Sequence, residues 1–150
     1  MIYTPMTKKA IKLLFEKQKE QQDKAGLPYV FHPFHVAEQM KDELAVTVAL
    51  LHDLVEDTEV TFQTLEELGF PNEVIQALEI LTKEKSEDYD SYIQRVAGHS
   101  IARKVKIKDL EHNMDLSRLE RVTEEDFQRA EKYQKSYQYL TEIDKKSEEL

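Results

Sequence analysis

Residues 45–51, AVTVALL, form an apolar run suited to burial, and two pairs of polar side chains, His52-Asp53 and Glu56-Asp57, follow it at once. Imidazole and carboxylate groups at the end of a core segment cost stability unless hydrogen bonds, opposite charges or a bound ion satisfy them. Whatever fold this chain adopts must bring partners to LLHDLVED.

Helical spacing dominates the remainder. Ile11, Leu14, Phe15 and Gln18 predict a first helix after Pro5, interrupted by the Gly26 and Pro28 of DKAGLPY. Pro33 suits the first turn of a second helix, where a missing N–H is no loss, and this helix is expected to run to about Asp42. A third is expected from Leu44 to about Val55. Thr61 as N-cap and Gly69 as stop bound a short fourth. PNEVIQALEILT, DYDSYIQRVAG and SIARKVKIKDLEHNMDLSRL predict a fifth, a sixth and a long seventh. Thr123 caps an eighth, in which Phe127, Ala130, Tyr133 or Gln134, Tyr137 and Leu140 recur at helical steps. No segment alternates convincingly as a strand, so the expectation is an all-α bundle of about eight helices. One domain over 1–150 is expected, its core within about 5–142, with DKKSEEL as a loose polar tail.

Composition narrows the function. A formal net charge of -9 argues against a nucleic-acid partner, which needs a broad cationic surface. The absence of cysteine excludes a thiol nucleophile, a disulfide or a thiolate zinc site, and suits a cytoplasmic location. MIYTPMTKKAIKLLF is not patterned as a signal peptide, and the longest apolar stretch falls far short of the roughly 20 residues that span a bilayer. No membrane partner is expected. Nothing in the sequence indicates an oligomeric state.

At about 100° per residue along a helix, His52 and Glu56 share a face, with Asp53 and Asp57 beside them. Neutral imidazole with carboxylate is the ligand set of a divalent ion such as Mn, Fe, Zn, Co or Ni. His32, in YVFHP, and Asp109, in VKIKDLEHN, supply the missing ligands if three helices converge: His32, His52, Asp53 and Asp109 then form a two-His, two-Asp cage. Glu56 and Asp57 would stand one turn off the metal, placed to orient or deprotonate water or to protonate a departing oxygen. Acids at a helix C-terminus oppose its dipole, which also favours a cation nearby. On the seventh helix, Lys106 lies about 60° from Asp109 and faces the same side, whereas Arg103 and Lys104 project away and are expected to be solvated. Lys106 is therefore the basic residue of RKVKIK expected to meet a phosphate. His35 is expected to stay off the metal, His112 to make a structural hydrogen bond, and His99 to sit at a helix start.

The order H…HD…D, in the segments DKAGLPYVFHPFHVA, ALLHDLVEDTEVTFQTL, LTK and VKIKDLEHNMDLSRL, resembles the HD-domain metal-dependent phosphohydrolases. The closest resemblance is to the hydrolase domain of the RelA/SpoT group and the small stand-alone alarmone hydrolases. It implies a helical fold and one ion, Mn in the first place, held by His32, His52, Asp53 and Asp109. It implies catalytic roles for Glu56 and Asp57 in removing pyrophosphate from the 3′ position of a guanosine polyphosphate. It also implies substrate contacts for Lys24, before GLPY, for Lys85, after LT, for Asn113 of the HN motif, and for the Arg129-Tyr133 pair. Gln18 and Glu20 stand where relatives carry His and Gly. The loop carries one Lys where better known members carry a more basic run, so fewer cations meet a highly charged 5′ end. Another nucleotide or a small phosphomonoester is the alternative substrate, and a non-catalytic nucleotide sensor the alternative function. No nucleotidyltransferase segment is present, so hydrolysis without synthesis is expected.

Overall fold

The computed structural model describes residues 1–149. Nine α-helical segments occur among them: α1 (Pro5–Gln18), α2 (Phe31–Glu38), α3 (Glu43–Leu51), α4 (Leu54–Asp57), α5 (Phe62–Glu67), α6 (Asn72–Leu81), α7 (Tyr89–Ala97), α8 (Ser100–Asn113) and α9 (Glu124–Glu148). A single 3-10 turn, Leu116–Arg118, follows α8, and β structure among the described residues is limited to one bridge between Gln22 and Pro28. The all-helical expectation is met.

The apolar run does become the centre. Ala45 to Leu51 are all buried in α3, which is surrounded by α1, α2, α6 and α8. A helix hydrophobic on every face is stable only in such a position. Its start is set by Asp42, whose carboxylate accepts from the Ala45 N–H at 2.9 Å. Other starts follow the same chemistry: Thr4 and Thr123 form capping boxes on α1 and α9, and Thr61 and Asp88 cap α5 and α7. His99 caps α8, its ring accepting from the Ala102 N–H, so it sits at a helix start as expected. Gly69 takes φ +89 after α5, a conformation costly for any other residue.

Three boundaries differ from the sequence reading. The expected third helix breaks at His52-Asp53 into α3 and α4, because the His52 imidazole bonds the Ala49 carbonyl at 2.6 Å and competes with the helical ladder there. The expected seventh helix stops at Asn113; Asp115 then nucleates the 3-10 turn by accepting from the Ser117 N–H. The second helix ends at Glu38, short of Asp42, which is itself needed as a cap.

The polar stretch expected to be loose instead continues α9 through Glu148; Leu150 lies outside the described residues. Asp144 explains why. Its carboxylate meets Arg103 Nε at 2.8 Å and Lys104 Nζ at 3.3 Å, and Arg103 also donates to the Ala97 carbonyl. Arg103 is thus buried at 6% exposure, against the expectation of a solvated side chain, although it does project away from Asp109. Phe15 and Phe127, counted on the apolar faces of their helices, are more than half exposed.

Removing one partner of a buried ion pair strands the other charge. Asp144→Ala should therefore lower unfolding stability by on the order of 2 kcal/mol in a urea melt, while Glu148→Ala, whose pair with Lys104 is exposed, should cost under about 0.5 kcal/mol.

Candidate metal centre and active-site cleft

Three elements deliver the polar cluster. His32 enters on the first turn of α2, His52 and Asp53 occupy the break between α3 and α4, and Asp109 lies one turn before the end of α8. One ligand atom from each of His32, His52, Asp53 and Asp109 lies within 4.8 Å of all the others. His32, His52 and Asp109 are about 95% buried.

Each ligand is held by a second contact. His52 Nδ1 is bound to the Ala49 carbonyl, which leaves Nε2 facing the cluster, 3.3 Å from Asp109 and 3.2 Å from Asp53. His32 Nε2 lies 2.8 Å from Asp109 Oδ1, and its Nδ1 lies 2.7 Å from His112 Nδ1. The far oxygen of Asp109 takes Lys106 Nζ at 2.9 Å, and Asn113 Nδ2 donates to the near one at 3.1 Å. The Tyr29 hydroxyl donates to Asp53. Rings and carboxylates fixed from behind are what a metal site requires, because orientation and ligand basicity are set by such contacts.

The charge distribution fits a cation too. Burial opposes a charged His52, yet the Asp53 and Asp109 carboxylates outweigh it and hold the imidazole pKa well above its ordinary value. Burial likewise disfavours the Asp109 carboxylate, but Lys106 and the two histidines hold its pKa well below the usual range. Two acids, Asp109 buried and Asp53 partly buried, thus draw positive charge toward one point, where a divalent ion could stand in place of the His52 proton. The donor set, imidazole nitrogen with carboxylate oxygen and no thiolate, suits such an ion.

Beside the cluster, Glu56 Oε1 accepts from the Lys83 N–H at 2.9 Å. That loop is tied down by Arg95, which bonds Glu87 and the carbonyls of Ile80 and Thr82. Both acids fall in the single turn of α4 that the break creates, so they do not close a long helix and the expected dipole penalty does not apply. Burial, with Asp53 and Glu56 nearby, raises the Asp57 pKa to about 6, and burial raises that of Glu56 as well.

A cleft of about 470 Å³ lies beside the cluster, joined to it by Tyr29 and Asn113, which bond Asp53 and Asp109, and its lining also includes Lys24, Asp57, Arg129 and Tyr133. Four of the six expected substrate contacts, Lys24, Asn113, Arg129 and Tyr133, are therefore gathered. Lys85 is not: it is exposed on the loop after α6 and lies outside the cleft lining. Lys106 does face the cluster side, but Asp109 engages its ammonium and the Tyr92 ring lies beneath it at 5.4 Å. His112 stacks on His32 at 5.0 Å and makes the expected structural contact, while His35 stacks on His112 from outside and is not in the cluster.

No family model matches the chain. A mouse protein named guanosine-3′,5′-bis(diphosphate) 3′-pyrophosphohydrolase MESH1 is 36% identical over 114 residues, 68% of this chain and 63% of that protein. One of the same enzyme name from Aquifex aeolicus is 32% identical over 109 residues, 67% of this chain and 16% of that protein. The chain is a RelA/SpoT hydrolase-like protein of the HD type. It spans less than two thirds of the length of these curated relatives. The solved structure of a metazoan ortholog of SpoT that hydrolyzes ppGpp superposes with a TM-score of 0.74 at 24% identity, covering 98% of each chain, and the two share the all-helical HD fold.

Two residues of this RelA/SpoT-like site went unnoticed in sequence reasoning. Tyr29 supports Asp53, and only its place in the YVFHP motif hinted at it. Arg118 reaches back to Asp23 Oδ2 at 2.9 Å and joins the 3-10 turn to the loop before α2; it sat in a stretch read as continuous helix.

Calorimetric titration with Mn should find one site of 1:1 stoichiometry, lost in Asp109→Ala. His112→Ala should bind about 10-fold more weakly, because His32 loses the group that orients it. Affinity should fall as the pH is lowered, since protons and the cation compete for His52 Nε2.

Proposed function

We propose that this chain is a metal-dependent phosphohydrolase that removes pyrophosphate from the 3′ position of guanosine 3′,5′-bis(diphosphate). The observation that carries the reading is the convergence of two imidazoles and two aspartates beside a cleft whose lining residues Tyr29 and Asn113 bond to them. The enzyme name shared by the mouse and Aquifex relatives supports the substrate.

His32, His52, Asp53 and Asp109 hold the ion, with Mn the leading choice. Such an ion, when bound by these four residues, would supply Lewis acidity to the site. Asp57, its pKa raised to about 6, is poised near neutrality to take a proton from the water, and Glu56, pinned by the Lys83 N–H, orients it. Water adds to the phosphorus next to the ribose, the bond from that phosphorus to the 3′ oxygen breaks, and the 3′ oxygen receives the proton that Asp57 took from the water and leaves as a hydroxyl. Lys24 and Arg129 face the phosphates, and Asn113 and Tyr133 offer uncharged polar contacts to the nucleoside. Lys106 acts through Asp109, as a positioning residue.

The test is a panel of guanosine polyphosphates, nucleoside triphosphates and phosphomonoesters incubated with Mn, with released pyrophosphate and phosphate quantified. Pyrophosphate should appear from the 3′,5′-bis(diphosphate), vanish in His52→Ala, and fall about 100-fold or more in kcat for Asp57→Asn. Lys24→Ala should raise KM more than it lowers kcat. Turnover confined to another nucleotide would replace the substrate, and tight binding without turnover under any metal would make the chain a sensor.

A further inference from the structure

All but one of the cations in and beside the cleft are already partnered. Arg118 Nη1 lies 2.9 Å from Asp23 Oδ2, and Arg129 pairs with Asp126 one turn earlier on α9. Lys106, nearer the floor, is engaged by Asp109. Among the described residues of the cleft lining, Lys24 is the one cation with no carboxylate partner. Lys24, Arg118 and Arg129 are matched by Asp23, Asp57 and Asp115, so the lining as a whole carries no net formal charge.

This arrangement is built rather than incidental. Asp23 cannot swing away from Arg118 cheaply, because its other oxygen accepts from the N–H groups of Ala25 and Leu27 and thereby shapes the loop that carries Lys24. Asp115 is likewise fixed, accepting from the Ser117 N–H. Asp126 is held in the capping box of α9. A phosphate entering this end would compete with anchored carboxylates for both arginines and would meet Asp115 as well. Gln21, Gln22, Asn113 and Tyr133 add neutral donors and acceptors, which suit a base or sugar hydroxyls.

We propose that this cleft selects against charge at the end of the nucleotide remote from the metal centre. It takes guanosine 3′-diphosphates that carry a 5′-hydroxyl or a single 5′-phosphate in preference to those with a 5′-diphosphate or 5′-triphosphate. The Asp23–Arg118 and Asp126–Arg129 pairs set this preference, and Lys24 is its only counterweight. The inference rests on the hydrolase reading of the site and adds to it the charge class of the substrate.

The experiment measures kcat/KM, with Mn in fixed excess, for guanosine 3′-diphosphate bearing a 5′-hydroxyl, monophosphate, diphosphate or triphosphate. Calorimetric Kd for the same four compounds, on His52→Ala with the metal omitted, gives the binding order without turnover. Efficiency and affinity should both fall from the hydroxyl to the triphosphate compound, about threefold or more per added phosphate. Asp23→Asn, which can keep the loop bonds through its amide oxygen while freeing Arg118, should raise the triphosphate-to-hydroxyl ratio about fivefold, and Asp115→Asn should move it the same way. A ratio that favours the triphosphate in the parent protein, or that Asp23→Asn leaves unchanged, would overturn the proposal. Turnover of none of the four, with the binding order intact, would overturn the hydrolase reading and leave the charge selection standing; binding of none would overturn both.

Discussion

Everything in this structure is arranged around one buried carboxylate. Asp109 lies 2.8 Å from His32, 3.3 Å from His52, 2.9 Å from Lys106 and 3.1 Å from Asn113, so α2, the end of α3 and α8 are joined through its two oxygens. A carboxylate about 96% buried is tolerable only when positive charge and donors surround it. The apolar helix α3 positions this meeting point by occupying the centre of the bundle, and the polar cluster begins where its buried run ends.

That origin accounts for the division between a rigid floor and an adjustable wall. The floor is built from helix ends fixed by core burial, with Ala49, His112 and Tyr29 holding the cluster from behind. The wall is the loop between α1 and α2, shaped by Asp23 and Gly26 at φ +78, and the turn after α8, joined to it by Arg118. In the function proposed above, chemistry belongs to the floor and choice of substrate to the wall, where loop sequence can change without disturbing the core.

Most of the fold was legible in the sequence because helical periodicity and caps are local signals. Thr61, Thr123 and Gly69 marked their boundaries correctly, as did Pro5. The break at His52-Asp53 was not legible, since neither glycine nor proline announces it and the competing bond from the imidazole to Ala49 exists only in three dimensions. Asp144 was missed for a similar reason: a polar stretch reads as solvated until the buried Arg103 it neutralises is known. At the site, His32, His52, Asp53 and Asp109 could be assembled from residue chemistry and from the resemblance together. Arg118 and Asp23 could not, because their pairing joins residues far apart in the chain and alters what the other cations are free to do. Lys85 shows the limit of spacing within a motif, since the loop after α6 carries it outside the cleft.

We infer that one divalent cation belongs among His32, His52, Asp53 and Asp109. Crystals grown with manganese, measured on both sides of the manganese absorption edge, test it directly. A single strong anomalous peak is expected, bounded by His32 Nε2, His52 Nε2, Asp53 and Asp109, with His52 turned no further than its bond to Ala49 allows. An anomalous map without a peak there, with both histidines still paired to Asp109, would contradict it.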